Sequence, residues 1–153
     1  MPISVAAPTE RRAVATPLRA IVRAVLAGES RRADEVAVVI ADDARLRELN
    51  RRWRGIDRAT DVLSFNYDEG ERGWREAPIR GDLVVSMDRV FAQAKRYRVT
   101  PGKELARLVV HGALHLCGHD HHAAGERRVM RAREQAALRS LGGAIRRLDG
   151  ALR

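Results

Sequence analysis

The sequence predicts one α+β domain spanning residues 1–153, with a mixed four-stranded sheet, helices and a buried central helix. Three observations favour this fold. Strand-like apolar segments alternate with helical apolar periodicity in the N-terminal part, whereas only helical patterns follow later. A polar loop separates the last two strand-like segments, which allows an antiparallel hairpin. The helix predicted between Leu105 and Cys117 has only three strongly polar side chains, so it should be buried.

The N-terminal elements alternate in type. We expect a short strand at residues 3–7, a helix at residues 16–28 and a central strand at residues 35–41. Asp42 or Asp43 should cap a second helix. Its inward-facing side chains are expected to be Leu46, Leu49 and Trp53. The helices that separate the first three strands imply parallel pairing.

The middle of the chain supplies the hairpin and the buried helix. Two strands, at residues 62–67 and 82–87, enclose the polar loop, and a helix at residues 88–97 follows. Thr100 can then cap the buried helix, and Pro101 suits the first helical position because a missing N–H costs nothing there.

The C-terminal part predicts one last helix, at residues 123–141. Gly142 and Gly143 should stop this helix, and a short basic tail then ends at Arg153. The side chains expected on its inner side are Val129, Ala132 and Ala136.

All five histidines of the chain lie between His111 and His122, in the segment HGALHLCGHDHH. His111 and His115 are four residues apart, so both imidazoles leave the same face of the buried helix. Gly118 should end the helix, and the following turn carries His121 back towards the pair. Three neutral nitrogen donors and no obvious fourth protein ligand are typical of a catalytic zinc site.

Other interpretations of these histidines remain open. The donor set also suits copper, nickel or iron, and an ion can be bound without catalysis. Buried histidines can also serve only as hydrogen-bonding groups. Cys117 lies about 200° around the helix from His111, so it should point away and pack as a small hydrophobic residue.

The segment HGALHLCGHDH resembles the signature of the YbeY family, bacterial endoribonucleases that mature ribosomal RNA. The family pattern is H-G-x-L-H-L-x-G-Y-D-H, and His119 replaces its tyrosine. The resemblance implies metal ligands at His111, His115 and His121, and a mixed sheet with the ligand helix in the core. It leaves His119 as an extra donor or proton carrier. Asp120 can orient a ligand histidine, or it can simply form the turn.

A second segment, LNRRWRGIDRATDVLSF, resembles the family segment L-N-x-x-Y-R-x-x-D-x-P-T-D-V-L-S-F. Trp53 replaces the tyrosine and Ala59 the proline. Arg54 matches the family arginine taken to act in RNA cleavage, and a guanidinium can hold two phosphate oxygens as negative charge grows. Without this match, we would interpret Arg54 as a helix-end arginine that caps backbone carbonyls. We expect the segment from Arg54 to Phe65 to face the histidines.

Composition narrows the class of protein. With 29 Lys and Arg against 20 Asp and Glu, the net charge is +9, which suggests a polyanionic partner, nucleic acid first, or arginine used for solubility. The few aromatic residues predict little base stacking. One cysteine excludes an internal disulfide, and no apolar run is long enough to span a bilayer. We therefore expect a cytoplasmic protein that does not enter the membrane.

Together these observations predict a zinc-dependent endoribonuclease of single-strand type, a hydrolase with one zinc ion per chain. The resemblance implies ribosomal RNA and the small ribosomal subunit as partners, and also ribosomal-protein or GTPase partners. It implies a role in maturation of the 16S rRNA 3′ end and in ribosome quality control. A zinc-stabilised ribosome-assembly factor that binds RNA without cutting it is the main alternative. A metallopeptidase is the third, although Gly112 stands where the H-E-x-x-H motif has its glutamate.

Overall fold

The computed structural model describes residues 2–153, and the helices and strands follow the predicted order. A short 3-10 helix, Thr9–Val14, precedes the first α-helix. The strands and α-helices are β1 (Ile3–Ala6), α1 (Ala15–Gly28), β2 (Ala33–Ala41), α2 (Asp43–Arg54), β3 (Val62–Asn66), β4 (Ile79–Ser86), α3 (Met87–Tyr97), α4 (Pro101–Leu116), α5 (Ala124–Ser140) and α6 (Gly142–Ala151).

The predicted mixed four-stranded sheet is confirmed, with strand order β1-β2-β4-β3. β1, β2 and β4 pair in parallel, whereas β3 pairs with β4 in antiparallel fashion. The expectation that β3 would run parallel to the first two strands is therefore wrong. Leu83, Val84 and Val85 are all buried, so β4 is apolar on both faces and takes the position beside β2. β3 is only partly buried and lies at the edge.

The sheet separates a large apolar core from a small one. On one face, Val36 and Val38 of β2 pack in the core that α1 and α4 complete. On the other face, Leu46 of α2 packs with Leu63 and Val84. Side chains alternate between faces along a strand, so each strand of the hairpin contributes to both clusters. This alternation decides which β3 side chains can reach α4.

The predicted burial of α4 is confirmed. The Thr100 hydroxyl accepts a hydrogen bond from the Lys103 N–H, and Pro101 occupies the first turn, as expected. Leu105 and Leu108 are fully buried, and each contributes about 1.5–3 kcal/mol from transfer out of water. Gly112 permits the close approach of α4 to the sheet, since a Cβ there would lie 2.8 Å from Leu83 Cδ2.

Two expectations about which helix side chains face inward were wrong. Trp53 is 64% exposed, because α2 covers the sheet with Leu46 and partly with Leu49. On α5 the buried side chain is Met130, whereas Val129 is 52% exposed. The exposed residues of α5 that were expected inside are Val129, Ala132 and Ala136.

The expected basic tail after α5 is also wrong, because Gly142 begins α6 instead of ending the fold. Leu141, Ala144 and Leu148 are buried at helical spacing, and this apolar stripe outweighs the low helix propensity of two glycines. The Asp149 carboxylate accepts a hydrogen bond of 2.7 Å from the Gly102 N–H, so α6 also caps the start of α4. None of the helices in residues 2–153 is long and apolar enough to cross a membrane.

Candidate metal centre

The end of α4 brings the three predicted ligand histidines together. His111 and His115 lie one turn apart, and the helix ends at Leu116 with Cys117 as C-cap residue. Gly118 has a φ of 102°, a conformation that side chains with a Cβ rarely adopt, and it reverses the chain. His121 consequently returns to α4, with its Nδ1 atom 3.1 Å from His115 Nε2.

One nitrogen from each of His111, His115 and His121 lies within 4.8 Å of the other two. Zinc–nitrogen bonds of about 2.0–2.1 Å in a tetrahedral arrangement place ligand nitrogens about 3.3 Å apart. The 3.1 Å separation between the His115 and His121 nitrogens is close to that value. Because the cluster spans up to 4.8 Å, the rings have to move closer for all three nitrogens to bind one ion, and the donor set suits zinc as well as copper, nickel or iron.

Glu134 of α5 supports the cluster and was missed by the sequence analysis. The His111 Nδ1–H donates a hydrogen bond to the Glu134 carboxylate, so Nε2 is the nitrogen of His111 that remains for an ion. Metal-binding histidines usually donate their other ring N–H to such an acceptor, which fixes the tautomer and the ring orientation. The sequence does contain a signal for this role, because Glu134 is an acidic residue on the same inner face of α5 as Met130 and Leu138.

The surroundings of His115 keep its ring neutral. Burial, together with the neighbouring His111 and His121, lowers the pKa of His115 from 6.5 to about 4. At neutral pH the ring therefore has a free lone pair, and protons do not compete for it.

A cleft of about 990 Å³ joins the histidines to the segment that follows α2, as expected. Arg54 is the last residue of α2, and Gly55, with a φ of 71°, turns the chain towards the cleft. The Arg54 guanidinium donates a hydrogen bond of 3.0 Å to the Ser64 carbonyl and lies 5.7 Å from the centroid of the Phe65 ring. The Arg54 side chain therefore lines the same cleft as the histidine cluster.

His119 lies outside the three-histidine cluster. Its Nε2 atom is hydrogen-bonded to the Glu29 carboxylate at the end of α1, although the residue also lines the cleft. As an additional metal donor it is therefore poorly placed. The Arg133 guanidinium lies 3.7 Å from the same carboxylate.

Asp120 makes the contacts of a turn-forming residue. Its carboxylate accepts a hydrogen bond of 2.7 Å from the His121 N–H and lies 3.2 Å from His122 Nε2. No hydrogen bond joins it to the ring of a cluster histidine within the described part of the chain. Of the two interpretations of Asp120, these contacts support the turn.

Cys117 points away from the cluster and packs in the large core, as the sequence predicts. Burial raises the pKa of its thiol to about 12. Its carbonyl accepts a hydrogen bond of 2.9 Å from Arg31, whose guanidinium also bonds the carbonyls of Trp74 and Ala77. Arg31 thus attaches the loop between β3 and β4 to the end of α4, a link that no sequence pattern indicated.

The fold and the site define an α+β protein whose core helix presents a three-histidine cluster to an arginine-lined cleft. Comparison with known proteins gives the family: residues 5–142 match the family model described as Endoribonuclease YbeY. The chain belongs to this family.

Curated relatives support the assignment. The chain is 46% identical over 113 residues to Endoribonuclease YbeY of Chloroflexus aggregans, covering 71% of this chain and 74% of the relative. It is 46% identical over 106 residues to Endoribonuclease YbeY of Pelotomaculum thermopropionicum, covering 68% and 70%. The solution structure of TM1509 from Thermotoga maritima superposes with a TM-score of 0.66 at 26% identity, covering 92% of this chain and 89% of that one.

Membership of this family confirms the predicted resemblance, the fold class and the enzyme class, a hydrolase of the endoribonuclease type. The extent of the single domain and the roles of the individual site residues stay predictions.

Proposed function

We propose that this protein is a zinc-dependent endoribonuclease of single-strand type, with one zinc ion held by His111, His115 and His121. The observation that carries the proposal is the convergence of three histidine nitrogens within 4.8 Å in a cleft that Arg54 also lines. Three protein ligands leave a coordination position for substrate or water, which suits catalysis better than a closed structural site.

Each chain residue has a distinct task in this proposal. A bound zinc ion supplies Lewis-acid chemistry and lowers the pKa of water. Arg54 binds the phosphate and stabilises the negative charge that grows on its oxygens. Glu134 holds the His111 ring in the tautomer that presents Nε2 to the ion. His115 stays unprotonated at neutral pH because burial lowers its pKa to about 4.

A peptidase reaction is disfavoured by α4 itself. The position where the H-E-x-x-H motif has its glutamate is Gly112, and a Cβ there would already lie 2.8 Å from a methyl group of Leu83. A glutamate at this position therefore requires the Leu83 side chain to move. The helix therefore supplies no carboxylate base.

The proposed substrate is ribosomal RNA, with the 3′ end of the 16S rRNA as the site of maturation and the small subunit as partner. The relatives carry the name endoribonuclease, and the net charge of +9 favours a polyanionic substrate. We extend the proposal to ribosome quality control, to a cytoplasmic location, and to ribosomal-protein or GTPase partners.

The test combines metal content with cleavage of a structured ribosomal RNA fragment on the same preparations. Wild type, Arg54→Ala and His111→Ala are compared, with the exposed Arg139→Ala as matched control and circular dichroism to establish folding. We expect near-stoichiometric zinc in wild type and Arg54→Ala, loss of zinc in His111→Ala, and loss of cleavage in both site variants. Folded variants that cleave like wild type contradict the proposal. In that case a zinc-stabilised assembly factor that binds RNA is the better description.

A further inference from the structure

A second groove lies on the opposite face of β3 from the histidines. Its volume is about 620 Å³, and its walls carry Trp53, Phe65 and Tyr67 together with Arg45 and Arg54. We call these five residues the aromatic groove. The few aromatic residues of the chain predict little base stacking, but three of the six Phe, Trp and Tyr residues gather here.

The alternation of β3 explains why the groove and the cleft share this strand. Val62 faces α4 near Gly112, and the Asn66 amide donates a hydrogen bond of 2.8 Å to the Leu116 carbonyl. The intervening Phe65 packs against the small core on the α2 face. Trp53 reaches the same face from the last turn of α2. β3 therefore separates the histidine-lined cleft from the aromatic groove, and its two faces carry different side chains.

The aromatic groups are exposed but held in place. Trp53 is 64% exposed and Tyr67 is 56% exposed, which is costly for large aromatic rings unless they meet a partner. The Tyr67 hydroxyl donates a hydrogen bond to the Asp82 carboxylate on the paired strand. The Arg52 guanidinium lies 5.5 Å from the centroid of the Trp53 ring. Both rings are thus presented to solvent, and the hydrogen bond to Asp82 orients the Tyr67 ring.

Arg54 connects the groove with the cleft, because it lines both. A strand whose phosphate lies at Arg54 in the cleft has its neighbouring nucleotide within reach of the groove on the other side. The edge position of β3 leaves this path free of a further strand.

The charges of the groove suit a nucleotide better than an apolar ligand. Three guanidinium groups, those of Arg45, Arg52 and Arg54, surround the rings, although Arg45 is also paired with Glu48 at 3.1 Å. The lining carboxylate of Asp82 already accepts the Tyr67 hydroxyl. Glu69 adds a second carboxylate at the end shared with the cleft. Aromatic faces flanked by arginines are the usual platform for unpaired bases.

We propose that the aromatic groove is a stacking subsite for an unpaired nucleobase of the RNA strand whose phosphate is bound at Arg54. This inference rests on the proposed function and adds a specificity element to it: the enzyme selects single-stranded RNA because a paired base cannot reach Trp53. Trp53 binds the base, and Tyr67 completes the platform.

The test measures binding in the presence of excess chelator, so that it is independent of metal-dependent nuclease activity. The probes are a 2′-O-methyl oligonucleotide of about ten nucleotides and a sugar–phosphate strand of equal length without bases. Wild type, Trp53→Leu, Trp53→Phe and Tyr67→Leu are compared by fluorescence anisotropy. Tyr97→Leu is the matched control, since Tyr97 is 52% exposed and lies near Arg96 and Arg107 but outside both cavities.

We expect Trp53→Leu to weaken binding of the base-containing strand on the order of tenfold, with most affinity restored in Trp53→Phe and a smaller loss in Tyr67→Leu. Binding of the strand without bases should be the same in all variants. Equal affinity of Trp53→Leu and wild type for the base-containing strand overturns the inference. An equal loss for both strands also overturns it, because the contribution of Trp53 then does not depend on the bases.

The two proposals fail separately. If wild type cleaves ribosomal RNA but Trp53→Leu binds the base-containing strand normally, the subsite is wrong and the nuclease proposal stands. If Trp53 is needed for binding but wild type cleaves nothing, the subsite stands and the nuclease proposal is wrong.

Discussion

The two halves of α4 both carry polar side chains, but the surroundings of these side chains differ. In the first half, the Glu104 carboxylate is 1% exposed and accepts hydrogen bonds from Gln93 and Arg107. In the second half, the His115 Nε2 atom lies 3.1 Å from the Nδ1 atom of His121, a residue that follows the helix. The first set satisfies its hydrogen-bonding groups within the protein and stabilises the fold. The second converges neutral donors on one point, which is the arrangement expected of a binding site.

The largest expected effect comes from removing Glu104, the shared hydrogen-bond acceptor in the first half of α4. Glu104→Ala leaves Arg107 and Gln93 without their shared acceptor, and we expect a loss of about 3 kcal/mol in the free energy of unfolding. Urea denaturation measures it, with Lys103→Ala as control on the exposed neighbour. Zinc content of the folded fraction should not change. A variant of normal stability with reduced zinc would reverse the assignment of the two halves.

A smaller effect should follow from removing the carboxylate that accepts the hydrogen bond of the His111 ring. Glu134→Ala deletes the acceptor of the Nδ1–H, and we expect zinc affinity to fall about 10–100-fold while the stability of the metal-free protein changes little. Glu134→Gln keeps an acceptor oxygen and should recover part of the affinity. Competition with a chelator measures both. Zinc affinity equal to wild type in Glu134→Ala would show that Glu134 has no part in positioning the ligand.

The stability of the metal-free protein should depend on pH through His115, which lies in the second half of α4. His115 has a folded-state pKa of about 4, below the ordinary value of 6.5, so between these values the unfolded chain binds more protons. Stability should therefore rise with pH through that window and fall as acid is added. Urea denaturation at pH 4.5 and 7 should show a smaller difference for His115→Gln than for wild type. Identical differences in the two proteins would argue against a depressed pKa.

The smallest effect is expected at Cys117, on the side of α4 away from the histidines. Cys117→Ala should lower the free energy of unfolding by about 1 kcal/mol through lost packing and leave zinc content unchanged. The native thiol should react slowly with a disulfide reagent, because burial raises its pKa to about 12. Zinc loss in Cys117→Ala would place the thiol in the site after all.

The parts that sequence predicts are those governed by local rules. Thr100 and Pro101 begin α4 as expected, and the spacing of His111 and His115 places both on one face because helix geometry is fixed. The return of His121 follows from Gly118, whose positive φ reverses the chain.

The parts that sequence did not predict depend on contacts between distant elements. Glu134 meets His111 only because α5 packs beside α4, and Arg31 reaches Trp74 across 43 residues of chain. Two glycines suggested an end after α5, yet burial of Leu148 continues the fold into α6. The exposure of Trp53 likewise depends on how much of the sheet α2 covers, and local pattern does not fix that.

X-ray absorption at the zinc edge of the loaded protein tests the central claim most directly, because it reads the ligand atoms themselves. The account predicts three imidazole nitrogens and one oxygen at about 2.0 Å, no sulfur, and one imidazole fewer in His121→Ala. That variant changes an exposed residue after α4, so the fold should persist. A sulfur ligand, or an unchanged imidazole count in His121→Ala, would contradict a three-histidine site at the end of α4.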